Sequence, residues 1–414
     1  MAERFKAPRG TFDVLPEQEP LRRRIHDAAR RALEAAGYGR IETPIFEDTE
    51  LFARGVGEST DIVQKEMFTF EDQGRRSLTL RPEATASICR AYLEHGMHKL
   101  AQPVKLWTDG PFFRHERPQA GRFRQFSQID AEAIGSDSPL VDAELILLAG
   151  DTLAELGVPG VRLRLSSLGS PAARSAYLDE LRGYLRSRQG ELSEEVRNRI
   201  DANPLRAFDA DHEGTRRAME EAPRLLDRLD PADAEHFERV REHLDRTGVT
   251  YDLDPTLVRG LDYYTRTVFE FDCERLGAQS GIGGGGRYDG LIELLGGPAT
   301  PGCGWALGVD RIAIALAQEA HNEADAERDG VFVVAPDEQR DRAFALVTEL
   351  RRSGIGADLD LAGRAAKGQM KQADRVGARY ALILSEGGKA TLRDMSSGVE
   401  REVETARITE EIGG

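Results

Sequence analysis

Apolar residues recur at helical spacing near the start of the chain, where Leu21, Ile25, Ala28, Ala29, Ala32, Leu33 and Ala36 trace one face. With Glu17 in the first turn after Pro16 and Gly37 at the far end, the spacing predicts an amphipathic helix that stops at the glycine. GYGRIETPIFE then reads as a strand running into Pro44. VKLWTDGPFFRHE and RQFSQIDAEAIG both carry apolar or aromatic residues at near-alternating positions, and Pro118 with Gly121 mark a turn between them. A period of two on both sides of a turn predicts an antiparallel hairpin. From about residue 170 to 254 the texture changes to charged, alanine-rich sequence with no lysine, where 14 arginines stand against 20 acidic residues. That stretch suits a solvated helical insertion better than a strand-rich core. Strand character returns at Val268. Past the polar stretch 317–330 the pattern alternates: strand VFVVAP, helix at about 338–352, strand IGADLDL, helix at about 365–376, strand YALILSE. The alternation predicts a small α/β domain with a largely parallel sheet, beginning near Ala326.

Composition narrows the setting. A chain of 414 residues, 40% hydrophobic, can bury a large core and divide into two or three domains. No stretch approaches the ~20 apolar residues that cross a bilayer, so the expectation is a soluble cytoplasmic protein without a membrane partner. Cys89, Cys273 and Cys303 are far apart and lack metal-type spacing, which favours reduced thiols over a disulfide framework or a metal site. The net charge of −16 argues against a nonspecific nucleic-acid binder. Any such contact has to be local, and one basic segment exists. RHERPQAGRFR, residues 114–124, holds four arginines and one glutamate at the tip of the predicted hairpin. It is either a solvated tip or a binding loop.

The candidate chemistry centres on LVRGLDYYTRTVFEF, residues 257–271. Arg259 heads a run that otherwise reads as a buried strand, and a desolvated guanidinium needs an anionic partner: Asp262, Glu270 or a ligand. This string resembles the first signature segment of histidyl-tRNA synthetases, class II enzymes that activate histidine with ATP and load it onto tRNA. Other segments resemble the same family in the same order. RGTFDVLP begins the likeness, the helix–strand–proline pattern is similar to class II motif 1, FRHE at 113–116 to motif 2, and GCGWALGVDRI at 302–312 to motif 3.

The resemblance implies an antiparallel class II catalytic domain over residues 1–325, carrying the helical insertion, and an anticodon-binding domain over 326–414. Within this α+β organisation it assigns roles. Arg259, Arg114 and Arg311 would be catalytic, with Arg259 and Arg114 near the α-phosphate. Arg114, Glu116, Arg122, Phe126 and Arg311 would hold ATP. Glu83, Ala84 and Thr85 of RPEAT, with Gln128, would hold the α-ammonium of histidine. Glu132 and Tyr264, beside Tyr263, would read the imidazole, whose donor and acceptor nitrogens suit a carboxylate and a hydroxyl. Arg117 and Gln119 would touch the tRNA acceptor end. Mg²⁺ would arrive on the nucleotide, and tRNA(His), L-histidine, ATP and a second copy of the chain would be the partners. Position 310 departs from the family, which more often has glutamate where this chain has Asp310.

Two rival readings remain in view. Gly281, Gly283 and Gly286 match Gly-x-Gly-x-x-Gly, but ERLGAQ separates them from the strand before, and no acid lies about 20 residues on, so a dinucleotide fingerprint is weak. The same string resembles the second histidyl signature, in which Arg287, Tyr288 and Asp289 follow a glycine-rich strand close to ligand. The other rival is a catalytically silent paralogue that senses histidine as a regulatory subunit of ATP phosphoribosyltransferase. That paralogue typically lacks the reactive arginine and the C-terminal domain, whereas this chain has Arg259 and AAKGQMKQADRVGARYALILSE.

Overall fold

A computed structural model describes residues 4–57, 60–116, 121–277, 280–317 and 329–413. The chain forms two compact units, 1–319 and 320–414. The expected boundary at Ala326 falls outside the described residues.

The first unit is built on an eight-stranded sheet. In spatial order its strands are Gly39–Arg40, Val104–Phe113, Gln125–Ile134, Gly302–Gly308, Gly281–Arg287, Thr265–Cys273, Val161–Ser167 and Asp252–Leu253. The six inner strands are antiparallel, and only the short edge strands pair in parallel. The expected hairpin is present, with Phe113 opposite Gln125 and Val104 opposite Ile134. Alternation decides what each strand shows to each side. Ile129, Ala131, Trp305, Leu307, Phe269 and Phe271 join the core with helices Glu19–Ala35 and Pro139–Glu155. Gln128, Asp130, Glu132, Glu270 and Asp272 turn to the other face, where a cavity opens.

The first helix starts at Glu19, two residues later than the sequence pattern predicts, because Pro20 fits the first turn and Glu19 supplies the acid there. GYGRIETPIFE is two short strands rather than one. Gly39–Arg40 joins the large sheet, while Phe46–Asp48 pairs with Ser77–Leu80 in a separate three-stranded sheet. Pro44, which has no N–H to give a ladder, lies in the gap.

Residues 171–246 carry the helices Pro171–Ser187, Glu194–Arg199, Glu213–Glu220 and Pro231–Arg246. A buried cluster ties the last of these to the sheet. Asp142 accepts from His236 Nε2 and from Thr267 Oγ1, each at 2.7 Å, and pairs with Arg287, which is fully buried. Burial works against the Asp142 carboxylate, but His236 and Arg287 together hold its carboxyl below the ordinary range.

In the second unit the strands run in the order Ala357–Leu359, Asp329–Val334, Ala378–Leu384, Lys389–Asp394 and Glu400–Glu404. The first three are parallel, as expected, with helices Arg340–Arg352 and Ala366–Arg375 as crossovers. The last two are antiparallel, so the sheet is mixed rather than largely parallel.

Candidate active site

The open face of the large sheet carries a cavity of about 510 Å³ with two unlike ends. At one end lie carboxylates. Glu132 is 1% exposed; its Oε1 accepts from Thr85 Oγ1 at 2.6 Å and its Oε2 from Tyr288 OH at 2.5 Å. Burial pushes its carboxyl up to about 8, against the pull of those two hydrogen bonds. Gly304 is paired with Glu132 in register, and a Cβ there would sit 1.8 Å from Glu132 Oε2. The strand beside Glu132 therefore has to be glycine at this point.

Glu83 precedes the helix Thr85–Glu94 and accepts from the backbone N–H groups of Thr85 at 2.7 Å and Ala86 at 2.9 Å. Burial raises its carboxyl, while the helix N-terminus favours its ionised form. Tyr263 OH lies 3.5 Å from Glu83, and the Tyr263 ring is 4.8 Å from that of Tyr264 and 5.8 Å from that of Tyr288.

At the other end lie arginines. Arg114 donates from Nε to the Pro82 carbonyl at 2.9 Å, and its guanidinium stands 5.2 Å from the Phe126 ring centre. Arg122 pairs with Glu116 at 3.0 Å. Arg311, in the first turn of the helix Val309–Ala317, donates to the Gly121 carbonyl at 3.3 Å. Burial and the nearby Arg122 both lower its proton affinity, the signature of a cation held where another charge of its own sign is close. Asp310 accepts from the Ser127 N–H at 2.7 Å and stands 2.7 Å from Arg22. The shorter acid thus ties the motif 3 helix to the hairpin strand and to the first helix.

Arg259 sits between the two ends. Among the three partners open to it from the sequence, it takes Glu270 in a close ion pair. Burial works to lower its proton affinity, but Glu270 and Tyr264 outweigh that and raise it. The strand Gly281–Arg287 gives this pair its room, since a Cβ at Gly284 would lie 2.9 Å from an Arg259 nitrogen. That strand is paired antiparallel on both sides and opens no helix, so the Gly-x-Gly-x-x-Gly match has no dinucleotide-binding geometry.

The cavity is lined by Arg114, Arg259, Arg311, Glu83, Thr85, Gln128, Tyr263, Tyr264, Glu116, Arg122 and Phe126, while Glu132 lies just behind the lining, hydrogen-bonded to the lining residues Thr85 and Tyr288. Ala84 is buried and does not line it. Arg117 and Gln119 lie outside the described residues. Among the lining residues with no role from the sequence are Asp130 and Arg164, and Tyr288 had none beyond its place in a signature. The Tyr288 bond to Glu132 crosses 156 residues, and Asp130 was visible only as the middle member of the alternation Gln128, Asp130, Glu132.

An antiparallel sheet flanked by helices, with arginines from motif 2-like and motif 3-like segments facing one cavity, defines a class II aminoacyl-tRNA synthetase. The family model described as histidyl-tRNA synthetase matches residues 10–312, and that described as anticodon binding domain matches 330–413. The chain is 48% identical over 412 residues to the histidine–tRNA ligase of Halothermothrix orenii, covering 98% of each. It is 49% identical over 409 residues to that of Nocardia farcinica, covering 98% of this chain and 96% of the relative. Apo S. aureus histidyl-tRNA synthetase superimposes with a TM-score of 0.83 at 36% identity, over 99% of this chain and 100% of that one. The chain belongs to the histidyl-tRNA synthetase family, and its activity is the charging of tRNA with histidine.

Proposed function

We propose that the two ends of the cavity divide the work of adenylate formation. The carboxylate end binds histidine, with Glu132 and Tyr264 on the imidazole and Glu83, Thr85 and Gln128 on the α-ammonium. The arginine end binds ATP, with Phe126 under adenine, Glu116 near its edge, Arg122 and Arg311 on the outer phosphates, and Arg114 bridging the α-phosphate and the histidine carboxylate. The carboxylate oxygen attacks the α-phosphorus, the bond to the β-phosphate oxygen breaks, and pyrophosphate leaves. Arg259 neutralises charge that grows on the α-phosphate oxygens in the transition state. A hydroxyl of the terminal tRNA ribose then attacks the carbonyl carbon of the adenylate, and AMP departs.

The observation that carries this reading is one cavity lined by Arg259 and by Thr85 and Tyr288, the two residues that fix the buried Glu132 just behind its wall. Mg²⁺ enters as Mg·ATP, held chiefly by phosphate oxygens and water. Among the described residues no group of three or more His, Cys, Asp or Glu side chains is arranged to hold a metal by itself. Arg117 and Gln119 contact the acceptor end, residues 326–414 bind the anticodon arm, and the enzyme works in the cytoplasm as a homodimer. Ile45, Phe46 and Phe70, all substantially exposed, with the two phenyl rings 6.1 Å apart, supply an apolar patch suited to self-association.

The test is histidine-dependent ATP–pyrophosphate exchange beside tRNA charging on one preparation whose mass is checked by light scattering. Exchange and charging by a dimer support the reading. Histidine binding without exchange would mark a sensor, the rival that Arg259 and the anticodon-binding domain disfavour.

A further inference from the structure

Three carboxylates stand at the histidine end, Glu83 and Asp130 on the cavity wall and Glu132 just behind it, and their hydrogen bonding differs. Both oxygens of Glu83 accept backbone N–H groups, and both oxygens of Glu132 accept hydroxyls. Asp130 lines the same cavity at 2% exposure, yet its Oδ2 has no hydrogen-bond donor and it forms no ion pair among the described residues. Its neighbours share the deficit. Gln128, two residues along the same face, has an unpartnered Oε1, and Thr108, opposite Asp130 in register, has an unpartnered Oγ1. Arg81, the nearest cation in electrostatic effect, is turned to other work: its Nε donates to the Pro111 carbonyl at 3.0 Å and one terminal nitrogen to the Thr43 carbonyl at 3.1 Å.

A buried carboxylate without a donor is costly, and it persists where something outside the chain completes it. An ammonium group brings three donors and no acceptor. Glu83 cannot satisfy it alone, since each of its oxygens already takes a backbone N–H and has only its second acceptor site left. We infer that Asp130 is a further substrate-binding residue, its carboxylate directed at the α-ammonium group of the amino acid. The placement agrees: Asp130 lies on the strand between Gln128 and Glu132, so an imidazole at Glu132 leaves the ammonium toward Gln128 and Asp130. The inference rests on the cavity being the histidine site, as proposed above.

Calorimetric titration of the full chain separates the cases, using histidine, histidinol, which lacks the carboxylate, and 3-(imidazol-4-yl)propanoate, which lacks the ammonium. Asp130→Asn should weaken histidine and histidinol about tenfold each, the scale of one charge-assisted hydrogen bond, and leave the propanoate unchanged. Its melting temperature should hold or rise, because burial already works against the Asp130 carboxylate and the amide removes a group without a partner. Equal loss for all three ligands, or a lower melting temperature, would make Asp130 structural and overturn the inference. So would unchanged histidine affinity, the result expected if water alone completes the carboxylate. Asp130→Ser, titrated the same way, decides the matter if the asparagine variant does not fold. Failure of the unaltered protein to bind histidine would instead overturn the reading of the cavity itself.

Discussion

The two ends of the cavity are built by different means. At the carboxylate end Glu132, Glu83, Tyr263, Tyr264 and Tyr288 are all buried, and they are fixed by strand register, a helix start and a glycine that a methyl group would displace. At the arginine end Arg122 is 43% exposed in its side chain and is held by one ion pair, on a loop between two strands. At the first end the oxygens of Glu132 and Glu83 are already hydrogen-bonded, while Asp130 and Gln128 keep an unpartnered oxygen each, which on the proposed reading suits a site that tells one side chain from others by a few hydrogen bonds. On that reading the second offers cations to a triphosphate, which is recognised more by charge than by shape. Arg259 belongs to neither pattern: it is buried, but its partner Glu270 is one that a phosphate oxygen could replace.

The sharpest way to break this division is Arg259→Ala. Adenylate formation should slow by ~10²-fold or more with histidine affinity nearly unchanged, because the lost contact serves charge that appears late. Single-turnover activation within a fewfold of the unaltered protein would make Arg259 a structural cation. Glu132→Gln acts on the other end. Histidine affinity should fall by ~1.5 to 3 kcal/mol, since an amide, unlike the carboxyl, cannot ionise to receive an imidazole N–H, and calorimetry reads it directly. A smaller effect is expected from Glu270→Gln. Arg259 would keep its charge and lose its brace, so the activation rate should drop about three- to tenfold, the scale of one supporting contact of ~1 kcal/mol. An unchanged rate would show the pair to be incidental.

The ligand-free protein gives a further handle on the buried end. Glu132 titrates at about 8 in the folded chain against 4.5 for the ordinary group, so folding favours its protonated form. Its contribution to stability is therefore fully present below about pH 4.5 and is lost as pH rises toward 8. Glu132→Gln removes that loss. Denaturation midpoints of the two proteins should diverge in favour of the variant between pH 5 and 8, and parallel curves would contradict the assigned burial.

What the sequence revealed of all this follows a physical line. The Val104–Phe113 and Gln125–Ile134 hairpin, the first helix and the helical texture of 171–246 were legible because their periodicity is local. Arg259, Glu132 and the motif arginines were legible through their order along the chain. The strands Lys389–Asp394 and Glu400–Glu404 were missed because charged residues dominate both, leaving only Ala390, Leu392 and Val403 to face the core. Asp130 and the role of Tyr288 were missed for another reason. Each owes its importance to its surroundings in space: Tyr288 to Glu132 on another strand, and Asp130 to an Oδ2 that no donor among the described residues meets. Neither condition leaves a mark in a string of letters.

The central claim is that one cavity separates recognition from activation, and the most direct test compares Glu132→Gln with Arg259→Ala in the same single-turnover assay of adenylate formation across a range of histidine concentrations. The account predicts a crossing. Glu132→Gln should raise the histidine concentration at half-maximal rate by roughly tenfold or more and leave the saturating rate within a fewfold. Arg259→Ala should lower the saturating rate ~10²-fold and leave the half-maximal concentration nearly unmoved. If both substitutions shift the same parameter, the two ends of the cavity do not divide the work and the account is wrong.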